Sequence, residues 1–208
     1  MSGEAQKYFE EVSGSWDVLR KSFYGEEVRD AVLTAARLLP EHTVLDVGSG
    51  TGFLTEGAAK IARKVIALDF SEAMMDEARE KLGRKNVEFK IGNVEQIPLP
   101  DSSIDAVIGN MVLHHCLNPE AAVGEMARVL VSGGRLVLSD LQEHTYESLR
   151  KEHADIWMGF KMEYVRMVLQ KAGLRDVTVN ALSSCCSEKK ENEQVRIPMF
   201  LAAGHKPW

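Results

Sequence analysis

The sequence predicts a doubly wound α/β fold, in which helices cover both faces of a mostly parallel β-sheet. Between residues 43 and 140, short apolar segments alternate with helical ones, as in consecutive β–α–β units. The apolar segments are rich in Val, Ile and Leu and are continuous, which is typical of strands buried on both faces. A glycine-rich turn follows the first of them, at the place where such sheets bind ligands.

Seven strands are predicted, five in the alternating region and two near the C-terminal end. They cover residues 44–47, 65–68, 87–91, 106–108, 136–138, 177–182 and 195–203. The polar, highly charged residues 183–194 lie between the last two strands, and we interpret them as an exposed hairpin loop. A hairpin at this point adds an antiparallel C-terminal strand to the parallel sheet.

Helical segments with recognisable ends lie between the strands. Ser71 is a suitable N-cap for a helix over Glu72–Leu82, and Gly83 ends that helix. Asn118 and Pro119 begin another helix in the same way. Two helical patterns before residue 40 precede the first strand, so we expect them to form an N-terminal helical cap.

Length and composition favour one soluble domain. The 208 residues fit a helical cap (1–40), a ligand-binding core (41–140), and helices with a hairpin (141–208). Lys plus Arg number 25 and Asp plus Glu 31, so the net charge of −6 argues against nucleic acid and anionic membranes as partners. We expect neither a membrane span nor a secretory signal, and three cysteines form no disulfide framework, so the expected location is cytoplasmic.

Gly48, Gly50 and Gly52 follow the first strand and precede a helix predicted over residues 53–62. Glycines allow the backbone to contact a ligand closely, and a helix N-terminus offers free N–H groups. Dinucleotide sites use G-x-G-x-x-G, but Phe53 occupies the place of the third glycine here. The pattern suits S-adenosylmethionine better because that ligand has no phosphate. A tight turn without any ligand is the structural alternative.

Asp69 ends the second strand about twenty residues beyond the glycines. At this place a carboxylate accepts hydrogen bonds from the hydroxyls of a ribose, in NAD and S-adenosylmethionine sites alike. The alternative is a carboxylate stabilised by the dipole of the following helix. Asp69 therefore supports an adenosyl ligand without choosing between the two cofactors.

Four segments in this order resemble motifs of the class I S-adenosylmethionine-dependent methyltransferases, specifically those similar to ubiquinone/menaquinone-biosynthesis methyltransferases. They are residues 44–53, 68–74, 91–101 and 105–115, with 125–130 and 133–136 similar to the helix and strand that follow. The resemblance covers nearly the whole chain. It implies a Rossmann-like fold and methyl transfer from S-adenosylmethionine to a small-molecule acceptor, with S-adenosylhomocysteine as product. Residues 140–144 and 150–160 resemble the same region in methyltransferase domains fused to arsenic-type metalloregulators. Their His, acidic and aromatic residues are candidates for the lining of an acceptor pocket, and a solvated helix face is the alternative.

The resemblance also implies a cofactor site. Glycines of the loop pass under the methionine moiety, Asp46 orients the loop or meets the ammonium group, and Asp69 holds the ribose. The adenine lies against Phe70 and Met74, and a backbone carbonyl flanks the sulfonium. The full predicted set is Trp16, Arg20, Asp46, Gly48, Ser49, Gly50, Gly52, Asp69, Phe70, Met74, Asn93, Val94 and Asn110.

Two parts of this set depart from, or extend, the family pattern. Many relatives have Asp where this chain has Asn93, whose amide oxygen can also accept from the adenine amino group. Trp16, Asp17 and Arg20 resemble a W-D-x-x-R pattern that folds over the cofactor. The alternative for these three residues is a helix that packs on the sheet through Trp16.

Methyl transfer needs an aligned acceptor and, for a phenol, acidic carbon or thiol, a base. His114 and His115 follow Asn110, and Asp140 ends the fifth strand, so these three are the predicted catalytic residues. Packed core histidines are the alternative. Which of them is the base, and which atom of the acceptor is methylated, are not legible in the sequence.

Three other possibilities follow from the same residues. Pairs of His and Asp after the fifth strand, His144 with His153 and Asp140 with Asp155, match no standard ligand spacing, so no metal site is predicted. Three thiols, Cys116, Cys185 and Cys186, raise the alternative of methylating a thiophilic metalloid. A non-catalytic module that binds S-adenosylmethionine is the alternative from another class.

Overall fold

A computed structural model describes residues 3–83, 86–190 and 193–208, whose seven strands form one sheet in the order β3-β2-β1-β4-β5-β7-β6. The strands are β1 (Thr43–Val47), β2 (Lys64–Asp69), β3 (Val87–Ile91), β4 (Ile104–Asn110), β5 (Leu130–Leu141), β6 (Arg175–Lys190) and β7 (Glu193–His205). Strands β1 to β5 are parallel, whereas β7 is antiparallel to both of its neighbours. The predicted doubly wound, mostly parallel sheet of seven strands is confirmed.

Eight helices of the described residues surround the sheet. They are α1 (Gly3–Val12), α2 (Trp16–Phe23), α3 (Glu26–Ala36), α4 (Phe53–Ala58), α5 (Glu72–Leu82), α6 (Pro119–Val129), α7 (Glu147–Glu152) and α8 (Met162–Lys171). The predicted N-caps form, because the side-chain oxygens of Ser71 and Asn118 accept from the backbone N–H groups of Met74 and Ala121. Within the described residues, no helix has the length and apolar character that crossing a bilayer requires.

A hydrophobic core lies on each face of the sheet. Adjacent residues of a strand point to opposite faces, so Val44 joins the cluster that contains α3 and α4, and Leu45 joins the cluster that contains α6 and α8. Both side chains are fully buried. This is why the strand sequences are continuously apolar. The predicted helical cap is divided in the structure. Helix α3 packs on the sheet through Val28 and Val32, so it belongs to the core, and α1 and α2 remain as the cap.

The predicted hairpin loop over residues 183–194 is wrong for most of its length. Strands β6 and β7 continue through it, with Ser187 paired to Arg196 and a register shift between Ala181 and Cys185. Buried and exposed residues alternate at the start of β7, as in a strand: Val195 and Ile197 are buried, and Arg196 between them is exposed. The charged residues before Val195 make this alternation hard to recognise in the sequence. Val195 and Ile197 therefore lie on a buried side of β7. Strand pairing uses backbone N–H and C=O groups, so polar residues can also belong to a strand. Residues 191–192 lie outside the described residues.

Truncation of a buried methionine tests the core beneath α6. Met126 is fully buried, so Met126→Ala is expected to lower the free energy of unfolding by about 2–5 kcal/mol. Met167 on α8 is 46% exposed, and Met167→Ala is the matched control, expected to cost under about 0.5 kcal/mol. Urea unfolding followed by circular dichroism measures both. Equal losses in the two variants would contradict the assigned helix face.

Candidate functional site

The strand order reverses at β1, which has β2 and β3 on one side and β4 and β5 on the other. In open α/β sheets, the crevice for a ligand forms at such a switch point, beyond the carboxyl ends of the strands. A cavity of about 1100 Å³, its open mouth included, lies there. Ligand sites for small molecules and cofactors commonly have volumes of roughly 300–1,000 Å³, so this cavity is large enough for a nucleoside-sized ligand.

Most of the predicted site residues meet in this cavity. Those that line it are Trp16, Asp46, Gly48, Ser49, Gly50, Asp69, Phe70, Met74, Asn110, His114 and His115. Those that do not line it are Arg20, Gly52, Asn93, Val94 and Asp140. The first set comes from the ends of β1, β2 and β4 and from α2 and α5.

The glycine loop has a backbone that only glycine adopts without strain. Gly48, Gly50 and Gly52 have φ values of +63°, +51° and +88°. A Cβ on Gly48 would also lie 2.6 Å from a methyl group of Val112, and one on Gly52 would lie 2.5 Å from Leu82. The loop therefore needs glycine both for its conformation and for its close packing.

Asp69 ties the loop to the next crossover unit. Its Oδ2 accepts from the backbone N–H of Gly50 at 2.8 Å, and its Oδ1 accepts from the backbone N–H of Ser71 at 2.9 Å. Burial raises the pKa of this carboxyl, and the backbone hydrogen bonds from Ser71, Gly50 and Phe70 oppose the rise. Asp69 thus fixes the geometry of the loop and lines the cavity at the same time.

Asp46 lies deeper, on β1, and is almost fully buried. Its Oδ2 accepts from the hydroxyl of Thr55 on α4 at 2.6 Å. Burial raises its pKa to about 7, although the hydrogen bonds from Thr55 oppose the rise and the nearby charge of Asp69 adds to it. The carboxyl therefore anchors the helix that follows the loop, in agreement with its predicted orienting role.

Helix α2 lies directly over the glycine loop. The indole nitrogen of Trp16 is 3.7 Å from the position that a Cβ on Gly50 would take. Asp17 accepts from the hydroxyl of Thr51 at 2.7 Å and from Lys81 Nζ at 2.6 Å, so one carboxylate joins α2, the loop and α5. Burial raises the pKa of Asp17, but the hydrogen bonds from Lys81 and Thr51 outweigh burial and lower it.

Three predicted cofactor residues have structural partners instead. The guanidinium of Arg20 lies 4.1 Å from the ring centroid of Phe53 and donates to the Tyr24 carbonyl, so it fixes the end of α2. Asn93 is exposed, and its amide oxygen accepts from the backbone of Glu95. Val94 is buried in the core. Each of the three satisfies a local contact that the motif spacing does not reveal, and none reaches the cavity wall.

Gly52 also lies outside the cavity lining and is the N-cap residue that directly precedes α4. The preceding part of the loop faces the cavity, and Gly52 turns the chain away from it. Helix α4 itself ends at Ala58, earlier than the predicted residue 62. The glycine pattern thus contains two cavity residues and one turn residue.

Asp140 is fully buried and acts on His114. The His114 Nδ1 and Asp140 Oδ1 atoms are 2.5 Å apart, and the same carboxylate accepts from the backbone N–H groups of Leu113 and Leu141. These contacts saturate Asp140 and keep it behind the imidazole. The prediction that Asp140 meets the acceptor therefore has no support in the geometry, which gives it the role of a positioning residue.

His114 and His115 converge on Asp155, a residue of the loop after α7. The distances from Asp155 Oδ1 are 3.5 Å to His114 Nε2 and 3.8 Å to His115 Nε2. Burial lowers the pKa of His114, but the carboxylates of Asp140 and Asp155 outweigh burial and raise it to about 9. Burial and the neighbouring charge of His114 lower the pKa of His115 well below its usual range. His115 is therefore neutral at pH 7.

Sequence spacing missed the residues that close the cavity, because they come from distant parts of the chain. Phe9 on α1 contacts Trp16, Phe70 and His115 edge-on, with centroid distances of 5.4, 6.0 and 5.0 Å. The other missed lining residues are Tyr8, Phe23, Tyr24, Phe53, Leu54, Met111, Val112, Leu141, His153, Asp155, Cys186, Val195 and Ile197. His153 and Asp155 belong to the stretch 150–160 that the sequence offers for an acceptor pocket, whereas no motif indicated the aromatic residues of α1.

Asn110 is held from both sides at the end of β4. Its amide nitrogen donates to Tyr24 Oη at 2.9 Å, and its amide oxygen accepts from Ser139 Oγ at 2.7 Å. The side chain is therefore held by Tyr24 and Ser139. The contact of its backbone carbonyl with a sulfonium stays a prediction.

Cys116 is fully buried, and its thiol donates to the Val112 carbonyl at 3.4 Å. Burial raises the pKa of this thiol, so it stays protonated. Cys186 lines the cavity, whereas the side chain of Cys185 lies outside the described residues. The metalloid alternative thus stays a prediction, and Cys116 has the contacts of a packing residue.

Comparison with known proteins agrees with this geometry. Residues 45–138 match the family model described as a methyltransferase domain. The chain is 30% identical over 158 residues to a demethylmenaquinone methyltransferase from Renibacterium salmoninarum, covering 74% of this chain and 66% of that protein. It is 26% identical over 209 residues to the enzyme of the same name from Clavibacter sepedonicus, covering 98% and 85%. The chain belongs to the class I S-adenosylmethionine-dependent methyltransferases.

The cofactor of this methyltransferase family is S-adenosylmethionine. The chain is 32% identical over 170 residues to a rice 2-methyl-6-phytyl-1,4-hydroquinone methyltransferase, covering 79% of this chain and 51% of that protein. A methyltransferase structure from Aquifex aeolicus superposes with a TM-score of 0.68 at 25% identity, covering 96% and 97%. The chain spans 51% to 66% of the length of several curated relatives. The resemblance to domains fused to arsenic-type metalloregulators stays a prediction.

The buried carboxyl of Asp46 predicts a pH-dependent difference between the cofactor-free methyltransferase and Asp46→Asn. Because its folded pKa, about 7, exceeds its usual 3.8, the stability it contributes is complete below the unfolded pKa and is lost as pH rises through 7. The free energy of unfolding of the wild type, minus that of the variant, should fall by a few kcal/mol between about pH 4 and 7 and then level off. Urea titrations across this range measure it, and a constant difference would contradict the assignment.

Proposed function

We propose that this protein transfers a methyl group from S-adenosylmethionine to a small, largely apolar acceptor. One observation carries the proposal: a single cavity joins the glycine loop and Asp69 to a second half walled by aromatic rings and imidazoles. One half has the groups that recognise an adenosyl cofactor. The other half has space and chemistry for an acceptor beside it.

The first half fits the cofactor. The backbone at Gly48 and Gly50 can approach a ligand closely, and Asp69 lies where ribose hydroxyls donate. We assign Phe70 and Met74 to the adenine and the buried carboxyl of Asp46 to the cationic methionine end. Trp16 covers the loop from above. When bound, S-adenosylmethionine supplies an electrophilic methyl group on its sulfonium.

The second half fits an apolar acceptor. Phe9 and Phe23 wall it from the N-terminal helices, and Val195 and Ile197 wall it from β7. These side chains exclude water and fix the acceptor by shape, which is the main contribution that a protein makes to a direct displacement. Relatives of this chain act, by their names, on demethylmenaquinone and on a phytyl hydroquinone, and we propose an acceptor of comparable apolar character.

The imidazoles meet the polar atom of the acceptor. His115 lines the cavity, and its pKa is lowered by burial and by His114, so a lone pair on its ring is available to a proton or another electrophile. His114 is oriented by Asp140 and lies in contact with His115, with ring centroids 4.1 Å apart. A phenol, acidic carbon or thiol would place its proton against this pair.

We also propose that the protein acts in the cytoplasm and binds no nucleic acid. The net charge of −6 disfavours a polyanionic partner. Cys116 is not part of a disulfide, which is usual in a reducing compartment.

Loss of Asp69 tests the cofactor half. Asp69→Ala is expected to weaken binding of S-adenosylhomocysteine at least about tenfold, since it removes a ribose acceptor and releases the loop at Gly50. Isothermal titration calorimetry measures the affinity. Asp76→Ala is the matched control, because Asp76 is an exposed acid on the neighbouring helix α5, and its affinity should equal that of the wild type. Unchanged binding in Asp69→Ala would contradict the assigned site.

Turnover tests the reaction and separates an enzyme from a binding module. Wild-type protein is incubated with methyl-labelled S-adenosylmethionine and either a set of hydroquinones and phenols or a metabolite extract. Label is expected in an organic-soluble product, and His115→Asn is expected to lower the rate by about 10²–10⁴ while binding S-adenosylhomocysteine normally. His42→Gln, a histidine outside the cavity lining, is the control. Tight cofactor binding without transfer to any acceptor would favour the non-catalytic module.

A further inference from the structure

The geometry points to a divalent metal site at the acceptor end of the cavity, formed by His114, His115 and Asp155. We propose that it takes a first-row transition cation of the zinc type. The inference deepens the proposed function, because the cation would face the acceptor. When bound, the cation would occupy the His115 lone pair, and the cation rather than the imidazole would then meet the polar atom of the acceptor. The binding of the cation itself is independent of that function.

The spacing of the three side chains fits one cation. A ligand atom of each residue lies within 4.8 Å of the other two. The Asp155 carboxylate oxygen lies 3.5 Å from His114 Nε2 and 3.8 Å from His115 Nε2. Bonds of 2.0–2.1 Å in a tetrahedral site place neighbouring ligand atoms roughly 3.3 Å apart, so small side-chain shifts complete the site. Both distances exceed the usual range of an N–H···O hydrogen bond.

A carboxylate behind one imidazole supports the same interpretation. Metal-binding histidines usually donate their other ring nitrogen to a carboxylate or carbonyl, which fixes the ring and the tautomer. Asp140 occupies this place behind His114, at 2.5 Å from Nδ1, and its own oxygens are held by the backbone. His115 Nδ1 has no such partner among the described residues, and ring packing against His114 and Phe9 holds its ring.

The donor set selects the class of cation. Two imidazoles and one carboxylate suit zinc, iron, cobalt or nickel, whereas magnesium and calcium prefer oxygen donors alone. All three side chains are about nine-tenths buried or more, so a cation here would be shielded from bulk solvent. Three protein ligands leave one tetrahedral position, and all three residues line the cavity. An oxygen or sulfur atom of the acceptor would take that position.

The structure also explains why sequence spacing did not predict this site. Adjacent histidines on a helix or strand cannot face one ligand easily, but a 3₁₀ turn over Leu113–His115 brings the two rings together. Asp155 comes from a loop forty residues away in the chain. Of the two pairs considered from spacing, His144 and His153 are not members of this cluster, and Asp155 belongs to it without Asp140.

Zinc titration of the full chain tests the site. Chelator-treated protein is titrated with zinc chloride by calorimetry, and the wild type is expected to bind one equivalent. Asp155→Asn and His115→Asn are expected to bind it at least tenfold more weakly. Asp140→Asn, which loses only the carboxylate behind His114, is expected to lose about 10–100-fold. His42→Gln removes an imidazole elsewhere and should match the wild type.

Cobalt absorption and S-adenosylhomocysteine binding complete the test. The d–d bands of bound cobalt should appear in the wild type and be absent from Asp155→Asn, which should still bind S-adenosylhomocysteine normally and is therefore folded. Absence of zinc binding in the wild type, or equal zinc binding in Asp155→Asn and wild type, would overturn the metal site. Zinc binding without S-adenosylhomocysteine binding would instead overturn the proposed function and leave the metal site standing. Asp155→Asn alone decides the question if His115→Asn does not fold.

Discussion

The hydrogen bond from Gly50 to Asp69 is the contact on which the rest of the site depends. It joins the turn after β1 to the end of β2, so two separate crossover units share one rigid edge. The same carboxylate accepts from Ser71 and thereby sets the start of α5, which supplies Met74 to the cavity. Burial raises the pKa of Asp69, and the hydrogen bonds from the backbone N–H groups limit the rise. A ligand that donates to this carboxyl therefore enters a site whose shape already exists.

The sheet could be predicted from the sequence because its cause is local. Strands buried on both faces must be continuously apolar, and the residues of β1 divide between two cores as that rule requires. The continuation of the β6–β7 ribbon through residues 183–194 was not predicted, because the sequence of this segment is polar and highly charged rather than continuously apolar. A pattern of Val195 and Ile197 around an exposed Arg196 is a strand signal, but its length was too short to outweigh the charge of the neighbouring segment.

The site could be predicted only where one motif contains several of its residues. The glycine loop and Asp69 have fixed places in every β–α–β unit of this kind, so their positions follow from the chain order. Arg20, Asn93 and Asp140 lie outside the cavity lining, and their roles in the site stay predictions, because distance along the chain does not say whether a side chain is already engaged by a neighbour. The parts of the cavity wall that come from α1, from the loop after α7 and from β7 depend on tertiary packing. The sequence shows which residue types these segments contain, but it does not show which side chains face the cavity.

Phe9 gives α1 a role in both halves of the cavity, since its ring contacts Phe70 on one side and His115 on the other. Tyr8, the preceding residue in the chain, is hydrogen-bonded to His153 at 2.8 Å, so α1 is also attached to the loop that carries Asp155. Helix α1 therefore covers the two halves of the cavity together. A displacement of α1 would expose both halves to solvent at once, so neither half can be uncovered independently of the other on this side.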